Sequence, residues 1–152
     1  MTQFVLTGDD SLIIDDIPIN DDFPHGDSCV IDFGGTLASI ATGKDLNTVF
    51  AKDESGNNFR MTLRVLRNSK SDIYLNGKQL LQTEDFPSFV LLTGAFSKRL
   101  GDGKGNVTYD GYTLNGMIFE KKVAAKANLN GDTEQGVSTY TLIGAAGNRV
   151  MM

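Results

Sequence analysis

The chain has no tryptophan, one cysteine, one histidine and three prolines in 152 residues. Each scarcity removes a class of function. A single thiol, Cys29, excludes an intrachain disulfide, and its setting in Ser28-Cys29-Val30-Ile31-Asp32-Phe33 suits a small buried residue better than a reactive one. One Cys and one His leave too few soft ligands for zinc. His25 lies between Pro24 and Gly26 in an acidic turn, and a His25–Cys29 nucleophile pair lacks a third group to orient the imidazole. Without tryptophan, the best platform for stacking on a sugar face is missing. No apolar run approaches the roughly 20 residues of a membrane-spanning helix. The start, Met1-Thr2-Gln3-Phe4-Val5-Leu6, lacks the basic region and long apolar core of a signal peptide, so synthesis in the cytoplasm is expected.

Richer motifs fail on spacing. Asp102-Gly103-Lys104-Gly105-Asn106 places oxygens at alternate positions but lacks the sixth-position glycine and closing glutamate of a helix-flanked calcium loop. Its Gly103-Lys104-Gly105 leads towards a strand, whereas a phosphate-binding loop needs Gly-Lys-Ser/Thr opening a helix. Adjacent aspartates in turns are weak evidence for the carboxylate pair of a glycoside hydrolase. No catalytic residue, cofactor or metal site is expected, and the chain reads as a non-enzyme.

Glycine is the residue in excess. Seventeen glycines, above the usual share of about 7%, favour many turns and short strands. The fullest stretch is Phe89 to Phe119: two apolar arms around the tip Gly101-Asp102-Gly103-Lys104-Gly105-Asn106, which reads as a long hairpin that joins a sheet and projects beyond it. Phe59, Met61, Leu63 and Val65 alternate with Arg60, Thr62 and Arg64, the cleanest half-buried strand in the chain. The N-terminal third reads as short strands at 4–6, 12–14, 17–19, 29–33 and 37–41, broken by acidic turns, with Pro18 making its piece an edge or a connector and residues 42–47 a loop. Residues 71–83 read as the one helix, with Ser71 as cap, although Asn76-Gly77 is also a hairpin signal. Residues 121–127 continue as strand, 128–136 form a polar loop, 137–143 form a last strand, and the tail from Gly144 is loose. The fold class expected is mainly β, a β-sandwich or small barrel with one flanking α-helix and a long projecting hairpin, in a single domain over 1–152.

Charge is unevenly spread. Residues 1–58 carry eleven acids against Lys44 and Lys52, whereas residues 59–152 carry twelve bases and eight acids. An acidic half and a mildly basic half suit solvated loops, or a molecule that stacks head to tail. The acidic half argues against holding nucleic acid by its phosphates.

The chain resembles the tail tube proteins of long-tailed bacteriophages, those with contractile tails in particular. The resemblance is carried by 5–14 (Val5-Leu6-Thr7-Gly8-Asp9-Asp10-Ser11-Leu12-Ile13-Ile14), by 62–67, by 89–94 with 98–103, and by 131–135. It implies six subunits per ring, inner strands joined into a β-lined channel, and rings stacked into the tube that conducts DNA from capsid to cell. It also implies a virion location, with sheath, baseplate and tail terminator proteins as partners and DNA only as passing cargo. The candidate inter-subunit contacts are the acidic turns (Asp9, Asp10, Asp15, Asp16) and the hairpin tip (Lys98, Arg99, Asp102, Lys104). Acids facing a channel would keep DNA from sticking. The competing reading is a small non-enzymatic β binding module.

Overall fold

A computed structural model describes residues 3–152 except 128, 130 and 132. Among the described residues the chain is mainly β with one α-helix. The strands are β1 (Val5–Ile14), β2 (Ile17–Pro18), β3 (Cys29–Asp32), β4 (Ala38–Thr42), β5 (Thr48–Lys52), β6 (Phe59–Leu66), β7 (Leu92–Gly101), β8 (Val107–Phe119) and β9 (Val137–Met151). Helix α1 spans Lys70–Glu84. Seven strands form one antiparallel sheet in the order β2-β1-β7-β8-β9-β6-β3, and β4 pairs only with β5.

The sheet curls. Leu12 and Ile14 of β1 share one buried cluster with Met61, Leu63 and Val65 of β6, near the opposite edge. Phe33, just past the far-edge strand β3, lies 6.3 Å from Tyr112 of β8 with the rings nearly parallel. The result is an open barrel wall made from one sheet. Helix α1 plugs it with Leu75, fully buried, and with Gln79 and Gln82. Gln82 donates to the Phe119 carbonyl and accepts from its N–H, both at 2.9 Å, and Gln79 donates to the Lys121 carbonyl at 3.1 Å. These amides satisfy backbone groups where β8 runs out of strand partners, so the helix clamps the wall's end.

The alternation at Phe59–Leu66 is reproduced, with Phe59, Met61, Leu63 and Val65 buried. Other expectations change. The pieces 4–6 and 12–14 are a single strand, because Asp9 and Asp10 find cations across β7 and a bulge between Leu6 and Asp10 absorbs the excess length. The helix begins one residue earlier than expected, and its cap is Ser69, whose Oγ accepts from the Asp72 N–H at 3.2 Å. Ser71, itself buried, instead donates its hydroxyl to the half-buried Asp22 at 2.5 Å. Asn76-Gly77 lies inside that helix, so the hairpin alternative falls. Residues 121–127 make a single bridge, Ala124 with Thr139, rather than a strand. Three positions of the expected 128–136 loop lie outside the described residues.

The largest correction is the tail. Residues 144–151 complete β9 and pair with β8 from Asp110 to Met117. Gly144-Ala145-Ala146-Gly147 has poor strand propensity, but the glycines are required by packing. A Cβ on Gly144 would sit 2.0 Å from Phe59 Cζ, and one on Gly147 would sit 2.6 Å from Phe59 Cδ1. Phe59 fills the groove that the missing side chains leave.

The segment 89–119 is a hairpin, built into the wall between β1 and β9 with only its 102–106 tip extending past them. The hairpin that stands off the sheet is β4–β5, whose second strand lies in a stretch the sequence left unassigned.

Candidate assembly interface

Half of the wall has two open edges. β1 is covered by β2 only at Ile13 and Ile14, so Val5–Asp10 presents unpaired backbone away from β7. On the far side β6 ends at Phe59 opposite Gly144, so Ala145–Met151 is bonded to β8 alone. Both edges are flanked by exposed apolar side chains: Phe4 and Leu6 by the first, Val150, Met151 and Met152 by the second. Long open edges of this kind are templates for further pairing.

Their senses match. The four strands β1-β7-β8-β9 are antiparallel neighbours, so β1 and β9 run in opposite directions. Rotating a second copy about an axis along the strands keeps its strand sense. Its β1 therefore meets the first copy's β9 antiparallel, the pairing already used throughout the sheet.

The sequence-derived contact residues fall into four places. Asp10 and Lys98 pair at 3.2 Å on the face shared with the core, although Asp10 Oδ1 has no aligned hydrogen bond, so the contact is ionic. Asp110 beside them holds Arg149 at 2.7 and 3.1 Å. Asp9 and Arg99 pair at 3.9 Å on the opposite face. Asp15 and Asp16 occupy the β1–β2 turn at one end of the wall, both at positive φ. Asp15 accepts from the Thr93 N–H at 3.1 Å and from the Tyr74 hydroxyl at 3.2 Å. Burial, then the Asp15 charge, push the Tyr74 phenol up to about 12. Asp102 and Lys104 lie at the other end, in the β7–β8 tip. There Asp102 accepts from Asn106 Nδ2 and from the Lys104 N–H, each at 2.7 Å, and these bonds lower its pKa. Asp9, Asp10, Asp15, Lys98, Arg99 and Asp102 thus have partners in their own chain, whereas Asp16 and Lys104 enter no side-chain pair among the described residues.

Two features escaped the sequence reading. In β4–β5 every residue is exposed, as are the apolar side chains of Leu37, Ile40, Leu46, Val49 and Phe50. Leu37 anchors its base, pressed against Gly56. An isolated hairpin is marginal in water. A second apolar patch lies where α1 ends, at Leu80, Leu81, Phe86, Val90 and Leu91. The apolar run Val49-Phe50-Ala51 was the available signal for the hairpin's second strand, but it is too short to separate from a loop.

Chemistry is poorly served. Burial, with the Asp10 charge second, pushes the Cys29 thiol up to about 12. His25 is exposed in its turn. Among the described residues no three Cys, His, Asp or Glu side chains gather to hold a metal ion. A cavity of about 670 Å³ opens beside the free β9 edge and is lined by Gly35, Phe59, Arg60, Glu120, Gly144 and Ala145, with Arg60 and Glu120 paired at 2.9 Å.

No protein family and no curated protein matches the sequence. Solved structures do match. A chain of an extracellular contractile injection system, the PVC sheath-tube complex in its extended state, aligns with a TM-score of 0.63 over 97% of this chain and 90% of its own, at 12% identity. A chain of the anti-feeding prophage (AFP) baseplate, 6-fold symmetrised, aligns over 100% and 93% with a TM-score of 0.49, also at 12% identity. The first likeness fixes what this chain is similar to: it has the fold of a subunit of a contractile injection system's sheath-tube complex.

Proposed function

We propose that this chain is the tube subunit of a contractile, phage-tail-like particle. Six copies join β1 to β9 into a ring, and rings stack into the hollow tube that conducts DNA into the host cell. The observation that carries the reading is the pair of open edges, Val5–Asp10 and Ala145–Met151, of opposite sense on one four-stranded wall. The likeness to a sheath-tube subunit supports it. Closure of such a ring removes both edges at once.

Other features find uses in this arrangement. Asp16 at one end of the wall and Lys104 at the other offer a ring-to-ring contact, with β4–β5 reaching a neighbouring subunit. The apolar patch at the end of α1 lies on the side of the core, outside the ring, where a sheath would meet it. Baseplate and terminator proteins would meet the tube's two ends, and the particle is a virion or a virion-like body.

The test is negative-stain microscopy with light scattering across a concentration series, on the wild type and on Leu6→Lys. Wild type is expected to form rings or hollow tubes. A lysine on an open edge is expected to keep the variant monomeric with an unchanged circular dichroism spectrum. A wild type that stays monomeric at every concentration, or a variant that assembles as well as wild type, overturns the reading.

A further inference from the structure

The ring reading has a consequence for what its channel wall can sense. Each wall strand has one face on the core and one away from it. Helix α1 and the β6–β3 end of the sheet lie on the core side, so in a closed ring that bulk belongs on the outer, longer circumference. The uncovered face then lines the channel.

Strand register settles which side chains that face carries. Ser11, Ser97, Gly111 and Val150 share one row, and Ile13, Ala95, Thr113 and Asn148 share the next. Arg99 stands opposite Tyr109 in the row beyond. Alternate positions along the four strands are thus small, hydroxyl, amide or apolar. The charged members are Asp9 and Arg99, and they face each other at 3.9 Å. Lys98, Asp10, Asp110 and Arg149 are on the other face, and the remaining acids of the N-terminal half lie in turns or, for Asp32, in β3, outside these four strands. The expectation of an acidic channel wall therefore does not describe this face.

We propose, resting on the ring reading above, that the channel is charge-silent by construction. Asp9 and Arg99 cancel each other, and the wall selects cargo by diameter rather than by sign. Between its two end turns, this face of the four strands holds no free cation to bind phosphates and no free anion to repel them. A polyanion therefore slides along hydroxyl and amide groups that exchange readily with water. Removing one member of the pair exposes the other, repeated in every subunit of every ring, and such a stack of like charges makes a pore selective.

The experiment is a reversal-potential measurement on single assembled tubes sealed in a glass nanopipette, under a KCl gradient centred near 10 mM, where the Debye length is roughly 30 Å. Wild-type tubes are expected to show a potassium-to-chloride permeability ratio within about twofold of that in bulk KCl. Arg99→Ala tubes are expected to become cation-selective and Asp9→Asn tubes anion-selective. Since Asp9 borders the joining edge, Thr113→Asp, in the middle of the wall, provides a second route to cation selectivity. Glu54→Gln, beside the free hairpin, is expected to leave the ratio unchanged. Failure to form tubes defeats the ring reading and this inference with it. Tubes that form but are strongly selective in the wild type, or that ignore Thr113→Asp, overturn the inference and leave the ring standing.

Discussion

The two hairpins of this molecule have similar local chemistry and opposite circumstances. β7–β8 is bonded on both flanks, by β1 and by β9, and buries Leu92, Leu114, Met117 and Phe119. β4–β5 pairs only with itself and buries nothing in either strand. Both carry apolar residues in antiparallel arms around a glycine-bearing turn. The difference is therefore one of neighbours: the first hairpin is stabilised by its own chain, and the second has its apolar side chains turned outward, where another subunit would cover them. In the proposed tube, stability and ring-to-ring contact would rest on different hairpins, and substitutions separate them.

The largest effect belongs to the wall. Gly144→Ala forces a Cβ into the Phe59 ring, and the overpacked wall is expected to lose about 3 kcal/mol in urea unfolding. A variant within ~0.5 kcal/mol of wild type would show that β9 yields as easily as the free hairpin. Alkali acts next, on the contact between helix and wall. Burial, and then the Asp15 charge, push the Tyr74 phenol from its ordinary 10.0 up to about 12. Its contribution is fully present below the unfolded value and is lost as pH rises through the folded one. Unfolding midpoints are thus expected to fall between about pH 10 and 12, less steeply in Tyr74→Phe. Cys29 adds to the same trend from about pH 9 upward, its thiol being pushed to about 12, and Ellman's reagent should react slowly with the folded chain at pH 8.

Smaller effects sharpen the contrast. Gly77 is exposed mid-helix with nothing near its would-be Cβ, so Gly77→Ala is expected to add about 0.5–1 kcal/mol. Hydrogen exchange should slow in β8, which α1 clamps, and stay unchanged in β4–β5. The smallest stability effect is reserved for Phe50→Asp, which is expected to fall within about 0.5 kcal/mol of wild type while reducing tube yield. Equal loss of stability in this variant and in Gly144→Ala would erase the distinction between the hairpins.

What the sequence disclosed follows the range of its signals. β6 was legible because its alternation is strict and its partners bury the whole stripe. The β7–β8 reversal was legible because its tip is glycine-rich, and Asp102 closes it with three hydrogen bonds inside the turn. Pro18, read as an edge or a connector, lies in the edge strand β2. The continuity of β1 was hidden because Asp9 and Asp10 read as a turn until Lys98 and Arg99, about ninety residues away, are placed across from them. The strand at 144–151 was hidden for the same reason: its glycines make sense only beneath Phe59. As for the site, charge pattern drew attention to eight residues but said nothing of whether their partners are internal. The open edges are a property of where β2 and β6 stop, which no local pattern records.

The count of wall strands carries one more consequence. Because β1 and β9 bound an even set, copies laid side by side keep every junction antiparallel. One extra strand, or one fewer, would turn each junction parallel and mismatch its hydrogen-bond spacing all round. A ring closed in the proposed way would widen or narrow only by whole hairpins, its circumference quantised in units of two strands per subunit.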